Sequence, residues 1–126
     1  MYIPSSAPMD YESCVASCKA RHPACRLVEP RSLAQDQLLA STLRSIGLTG
    51  LWLALRKRSV WKGGGWRWSA SGDLLSDVHA RWAIGRPEGR GAECAELLPD
   101  GSWNDVACAV ERACACELPA VSDIGG

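Results

Sequence analysis

Seven cysteines in 126 residues constrain this chain more than any other feature, and four of them lie between Cys94 and Cys116. A reduced cytosolic protein of this size seldom keeps so many thiols, so the count points to disulfides and an extracellular or secreted setting. A zinc centre built from Cys14, Cys18, Cys25 and the Cys114/Cys116 pair is the competing use, but the spacings miss the C-x2-C form. With 47% apolar residues and a formal net charge of +0, the chain reads as one domain able to build its own core. Balanced charge offers no broad field for nucleic acid. No apolar run approaches the roughly 18 residues of a membrane span. Met1 to Pro8 lacks both a basic and an apolar region, so it is not read as a secretory leader.

Periodicity places the elements. Asp10 is a helix cap, and Tyr11, Cys14, Val15 and Cys18 recur at three- and four-residue steps, giving a first helix with one buried face that ends at His22-Pro23. A short extended stretch, Arg26 to Pro30, follows. Ser32 with Gln35 makes a capping box that opens a second helix through Leu38, Leu39 and Leu43, stopped at Gly47. Leu51-Trp52-Leu53-Ala54-Leu55 is continuously apolar, as expected of a strand buried on both faces. The glycines 63 to 65 turn the chain into Trp66-Arg67-Trp68, whose alternation puts both indoles on one sheet face. From Ser69 to Gly101 the residues are turn-rich, a length that implies a functional loop.

The C-terminal third then presents Trp82, Arg86-Pro87-Glu88, Cys94, Trp103-Asn104-Asp105, Cys108 and Cys116-Glu117 in close order. This resembles the C-type lectin-like domain, whose pattern is Trp, a Glu-Pro-Asn or Gln-Pro-Asp tripeptide, Cys, Trp-Asn-Asp, Cys and Cys-Glu. The first helix, the Ser-capped second helix, the apolar strand and the Trp-x-Trp strand resemble the same family. The resemblance implies an α+β fold: two helices flanking small antiparallel sheets, stabilised by disulfides, with a long irregular binding loop. It spans 11–118, leaving 1–10 as an extension or a truncated first strand and 119–126 as a tail. It also implies pairing of Cys18 with Cys116 and of Cys94 with Cys108, and a cis peptide before Pro87. Cys14 precedes Cys18 by one helical turn and Cys114 precedes Cys116 by two strand residues, so a parallel bridge from Cys14 to Cys114 is geometrically reasonable. Cys25 to Cys114 is its rival. If Cys25 is left over, it is either a free or modified thiol or the link of a disulfide-bonded dimer.

In the family, calcium and sugar share the loop, and the resemblance maps the calcium ligands onto Glu88, Glu93, Asn104 and Asp105. Arg86 stands where the family has a carboxylate or carboxamide. A monovalent cation about 5 Å from calcium repels it by roughly 6 kcal/mol at an effective dielectric of 20, the order of a micromolar binding energy. Arg86 therefore weakens any calcium site, and its guanidinium is expected to fork onto Asp105 or Glu88 in the cation position. The bland alternative for Asn104 and Asp105 is that they only brace the loop.

Of the six tryptophans, Trp52, Trp68, Trp82 and Trp103 read as core. Trp61, in the basic segment Arg56 to Lys62, is the candidate for an exposed contact with an anionic glycan or an acidic protein surface. An enzyme is not expected. His22 and His79 read as ordinary surface residues, and no nucleophile motif or phosphate loop accompanies them. Two binding classes remain: carbohydrate recognition through the long loop using Arg86, Glu88, Glu93, Asn104, Asp105 and Trp61, or calcium-independent binding of a cell-surface or extracellular protein by the same loop.

Overall fold

The structure is a computed structural model describing residues 7–59, 64–75 and 79–118 in full and residues 2–4 by their backbone. Among the described residues nine elements follow in order: β1 (Tyr2–Pro4), α1 (Tyr11–Arg21), β2 (Arg26–Leu27), α2 (Leu33–Ser45), β3 (Leu51–Lys57), β4 (Trp66–Trp68), β5 (Cys94–Leu97), β6 (Trp103–Val106) and β7 (Ala115–Glu117). They form two antiparallel sheets of strand order β1-β7-β2 and β4-β3-β5-β6.

The helix signals act as read. The Asp10 carboxylate accepts the Ser13 N–H at 2.8 Å, and the Ser32 hydroxyl accepts the Gln35 N–H at 3.1 Å. The Gln35 side chain returns to the Arg31 N–H instead of Ser32, so the box closes one residue early. Gly47, at φ 74°, takes the left-handed turn that ends α2. The leucines of α2 divide: Leu39 and Leu43 are fully buried, whereas Leu38 is 56% exposed, because it lies one residue off the buried stripe.

β3 explains the molecule. Leu51, Leu53 and Leu55 enter one core with Leu39, Leu43, Trp68, Leu97 and Trp103, while Trp52 and Ala54 enter a second with Tyr11, Leu27 and six buried cysteines. A strand between two cores has no polar face, hence the unbroken apolar run. Each buried leucine contributes about 2 kcal/mol of transfer free energy. Trp52 donates its indole N–H to the Met9 carbonyl at 2.7 Å.

Three disulfides form: Cys14–Cys114, Cys18–Cys116 and Cys94–Cys108. The first two staple α1 to the region of β7 side by side, which decides against the Cys25–Cys114 rival. Cys25 is a free thiol, 1% exposed. Of the two uses open to Cys25, a free thiol and an interchain bridge, this burial favours the first, since a sulfur so buried cannot meet a second chain without local opening. The turn-rich segment expected from Ser69 to Gly101 is also shorter than that. Cys94–Leu97 is a fully buried strand between β3 and β6, and its lack of alternation hid it. No helix among the described residues is long and apolar enough to cross a membrane.

Candidate functional site

The described parts of the segment from Ser69 to Glu93 are tied to the frame by two buried carboxylates, Glu29 and Asp105, with a third, Asp36, lying against His79. At its start, Glu29 accepts the backbone N–H groups of Ala70 and Ser71 at 2.8 and 3.0 Å. Its other oxygen meets Arg31 at 3.1 Å, and that guanidinium reaches on to Ser71 and Asp73. Glu29 is 3% exposed, so these bonds are what make its burial tolerable.

In the middle, Asp36 of α2 accepts the Trp103 indole N–H at 3.0 Å. His79 Nε2 lies 3.1 Å from its other oxygen, close but out of hydrogen-bonding alignment. Burial raises the Asp36 carboxyl from its ordinary 3.8 to about 6, against the opposing Trp103 bond and the nearby Arg81 cation. Burial also lowers His79, and Arg81 adds to that. His79 is thus not the ordinary surface residue expected; it packs edge-on to Trp103 with 13% of its side chain exposed. Beneath the loop Trp82 touches both Trp66 and Trp103, and Trp68 also packs on Trp103. Trp52, Trp68 and Trp103 are core residues, while Trp82 is half-buried against them.

At its end the loop turns through a cis Arg86–Pro87 peptide. Asp105, 3% exposed on β6, accepts the N–H groups of Glu88 and Gly89 at 2.8 and 2.9 Å. Arg86 Nη1 lies 2.8 Å from Glu88 Oε2 and 3.6 Å from Asp105 Oδ1. One nitrogen thus spans both carboxylates, in place of the two-nitrogen fork expected.

Of the residues read from sequence, Arg86, Glu88 and Asp105 come together. Asn104 does not join them. Successive strand residues face opposite ways, and Asn104 donates to Glu96 at 2.9 Å, where Arg112 also binds at 2.7 Å. Glu93 is exposed, and among the described residues its side chain joins no hydrogen bond or ion pair. Its carbonyl accepts the Lys57 N–H. Trp61 lies outside the described residues. Sequence reasoning missed Glu29, Asp36, Glu96 and Arg112. A lone acid in an apolar stretch, as Glu96 is in Cys94 to Leu98, was the available signal.

Calcium takes six to eight oxygens. Among the described residues no group of three or more His, Cys, Asp or Glu side chains is placed to hold a metal ion. A guanidinium lies against Glu88 and Asp105, and Glu96 accepts from both Asn104 Nδ2 and Arg112 Nε. The described residues thus show no clear calcium-binding group, while two buried oxygens, Asn104 Oδ1 and Asp105 Oδ1, have no hydrogen-bond partner.

Residues 7–118 match the family model described as "Lectin C-type domain". The chain is 29% identical over 98 residues to Collectin-43 of Bos taurus, covering 74% of this chain and 29% of that protein. It is 28% identical over 120 residues to the hepatic lectin of Gallus gallus, covering 94% and 54%. It thus spans roughly a quarter to a half of the curated relatives it matches. Among solved structures, the C-type lectin CEL-I from Cucumaria echinata superposes with a TM-score of 0.79 at 20% identity, covering 94% of this chain and 89% of that one. Human lithostathine gives 0.79 at 23% identity, covering 94% and 91%. At such identities the likeness is one of fold.

Proposed function

The chain belongs to the C-type lectin domain family, and from that premise we propose that it is an extracellular carbohydrate-recognition module rather than an enzyme. Sugar is bound at the end of the long loop, around Arg86, Glu88 and Asp105, without calcium. The observation that carries this reading is the placement of Arg86 Nη1 between Glu88 Oε2 and Asp105 Oδ1. A fixed cation supplies there the charge balance a metal would otherwise supply, and its remaining N–H groups are donors suited to sugar hydroxyls or carboxylates. The relatives named for lectin activity support the substrate class, and the internal disulfides support the compartment.

A glycan array probed with the disulfide-intact domain, in calcium and in EDTA, tests this. Binding that survives EDTA and is lost in Arg86→Ala is the expected result. Binding abolished by EDTA would overturn the metal-free reading, and a blank array in both buffers would overturn the carbohydrate reading. One observation favours the second reading, a protein partner: Ile84, two residues before Arg86, is fully exposed. If the array is blank, loss of cell-surface protein binding on Ile84→Ser would establish that class.

A further inference from the structure

The paired ends of β3 and β4 carry a concentration of cations that the loop site does not use and the fold only partly neutralises, Arg56 also lying 5.3 Å over the Tyr11 ring. Arg56 and Arg67 are partners across the β3–β4 ladder, so their side chains leave the same sheet face, where like charges opposite one another repel. Lys57 and Arg58 follow on β3 and its exit. With Trp68 and Gly72 they enclose a cleft of about 410 Å³, and no carboxylate is among the described residues lining it. Arg56 is shared with the exposed Glu12 at 3.0 Å. Lys57, Arg58 and Arg67 enter no ion pair among the described residues. Arg67 donates from Nη1 to the Gly72 carbonyl at 2.8 Å, yet its buried Nε donor has no acceptor. Like charges set side by side are costly, and an oxyanion in the cleft relieves that repulsion.

We propose that this cleft binds a sulfated glycan, with Arg56, Arg58 and Arg67 holding sulfate oxygens through their guanidinium groups. Density of charge selects the class. Cross-strand partners stand about 5 Å apart, a spacing met by a sugar bearing more than one sulfate. Acidic residues on one face of an extended peptide recur only every ~6.6 Å. Nucleic acid is disfavoured by the balanced charge of the chain, formally +0, which leaves no broad basic field around the cleft. The site goes beyond the loop reading and needs neither calcium nor Arg86.

Calorimetric titration in EDTA tests it, with a heparin-derived tetrasaccharide, its desulfated counterpart, a polyglutamate peptide and a single-stranded oligonucleotide as probes. The sulfated tetrasaccharide alone is expected to bind, more weakly as salt rises. Arg58→Ser and Arg67→Lys should each weaken it about tenfold or more, the latter because lysine keeps the charge but loses the fork. Arg21→Ser removes an exposed charge at the end of α1, outside the cleft, and should leave the affinity within about twofold. Arg58→Ser lies beyond β3 and serves if Arg67→Lys disturbs the ladder. Absence of binding, equal losses in Arg21→Ser and Arg58→Ser, or equal affinity for polyglutamate or the oligonucleotide would each overturn the proposal. None of these outcomes touches the loop reading, which is scored on the loss of array binding in Arg86→Ala.

Discussion

The two ends of the molecule are held by different physics. At the α1 end, two parallel disulfides join a helix to the region of β7 inside an apolar cluster with Tyr11, Leu27 and Trp52. At the loop end, the segment from Ser69 to Glu93, which has no named strand among its described residues, is held by Glu29 and Asp105, whose oxygens accept its N–H groups, while Asp36 beneath accepts from Trp103. The first end is secured by covalent constraint, indifferent to pH and salt. The second depends on carboxylates whose charge state matters. The loop is thus mounted on a few buried acids, while the frame beneath is stapled.

The comparison is broken most severely at the stapled end. With one bridge in place, the other closes a ring of only a few residues, so its single removal by Cys→Ala should cost about 2–3 kcal/mol in the chain-entropy model. Removing both Cys14–Cys114 and Cys18–Cys116 opens the large loop as well and should cost about 7 kcal/mol, more than the two single losses summed. Denaturant unfolding of the two single-bridge variants and the double variant measures this, and strict additivity would show that the bridges do not share a loop.

At the other end, pH is the lever. The folded carboxyl of Asp36 titrates at about 6 against an ordinary 3.8, so its contribution to stability is full below pH 3.8 and is lost as pH rises through about 6. His79, lowered by burial, works oppositely and costs stability as pH falls below its ordinary 6.5. Asp36→Asn isolates the first effect: wild type should lose up to about 3 kcal/mol relative to the variant between pH 4 and 7. Melting both proteins across that range checks it, and a constant difference would mean that Asp36 is not strained by burial.

Asp105→Ala should be smaller, about 2 kcal/mol, for the loss of a charged acceptor serving two N–H groups. Its signature is local: amide exchange at Glu88 and Gly89 should accelerate while β3 amides keep their protection. Equal acceleration in β3 would mean that the loop and the frame are one cooperative unit. The smallest effect is expected from Arg86→Glu, which sets a third carboxylate beside Glu88 and Asp105. Calcium at ten times its Kd should then raise stability by about 1.4 kcal/mol, seen as a calcium-dependent gain in Tm that wild type lacks. No gain in the variant would place Arg86 outside the cation position.

Much of the frame was legible in the sequence because its signals are local or covalent. Asp10 and Ser32 cap their helices through N–H groups three residues on. The five-residue apolar run of β3 announces a strand buried twice over, and the order of cysteines and tryptophans carries the family pattern. Tertiary structure alone decided the rest. It chose Cys14 over Cys25 as the partner of Cys114, since that depends on how α1 lies against the segment entering β7. It turned Asp105 toward Arg86 and Asn104 toward Glu96, because strand register sends neighbours to opposite faces. It placed Arg56 opposite Arg67, residues eleven apart in the chain, through the β3–β4 pairing. A chain displays its caps and periods in order, whereas which charges meet is set by register and packing between segments that sequence leaves far apart.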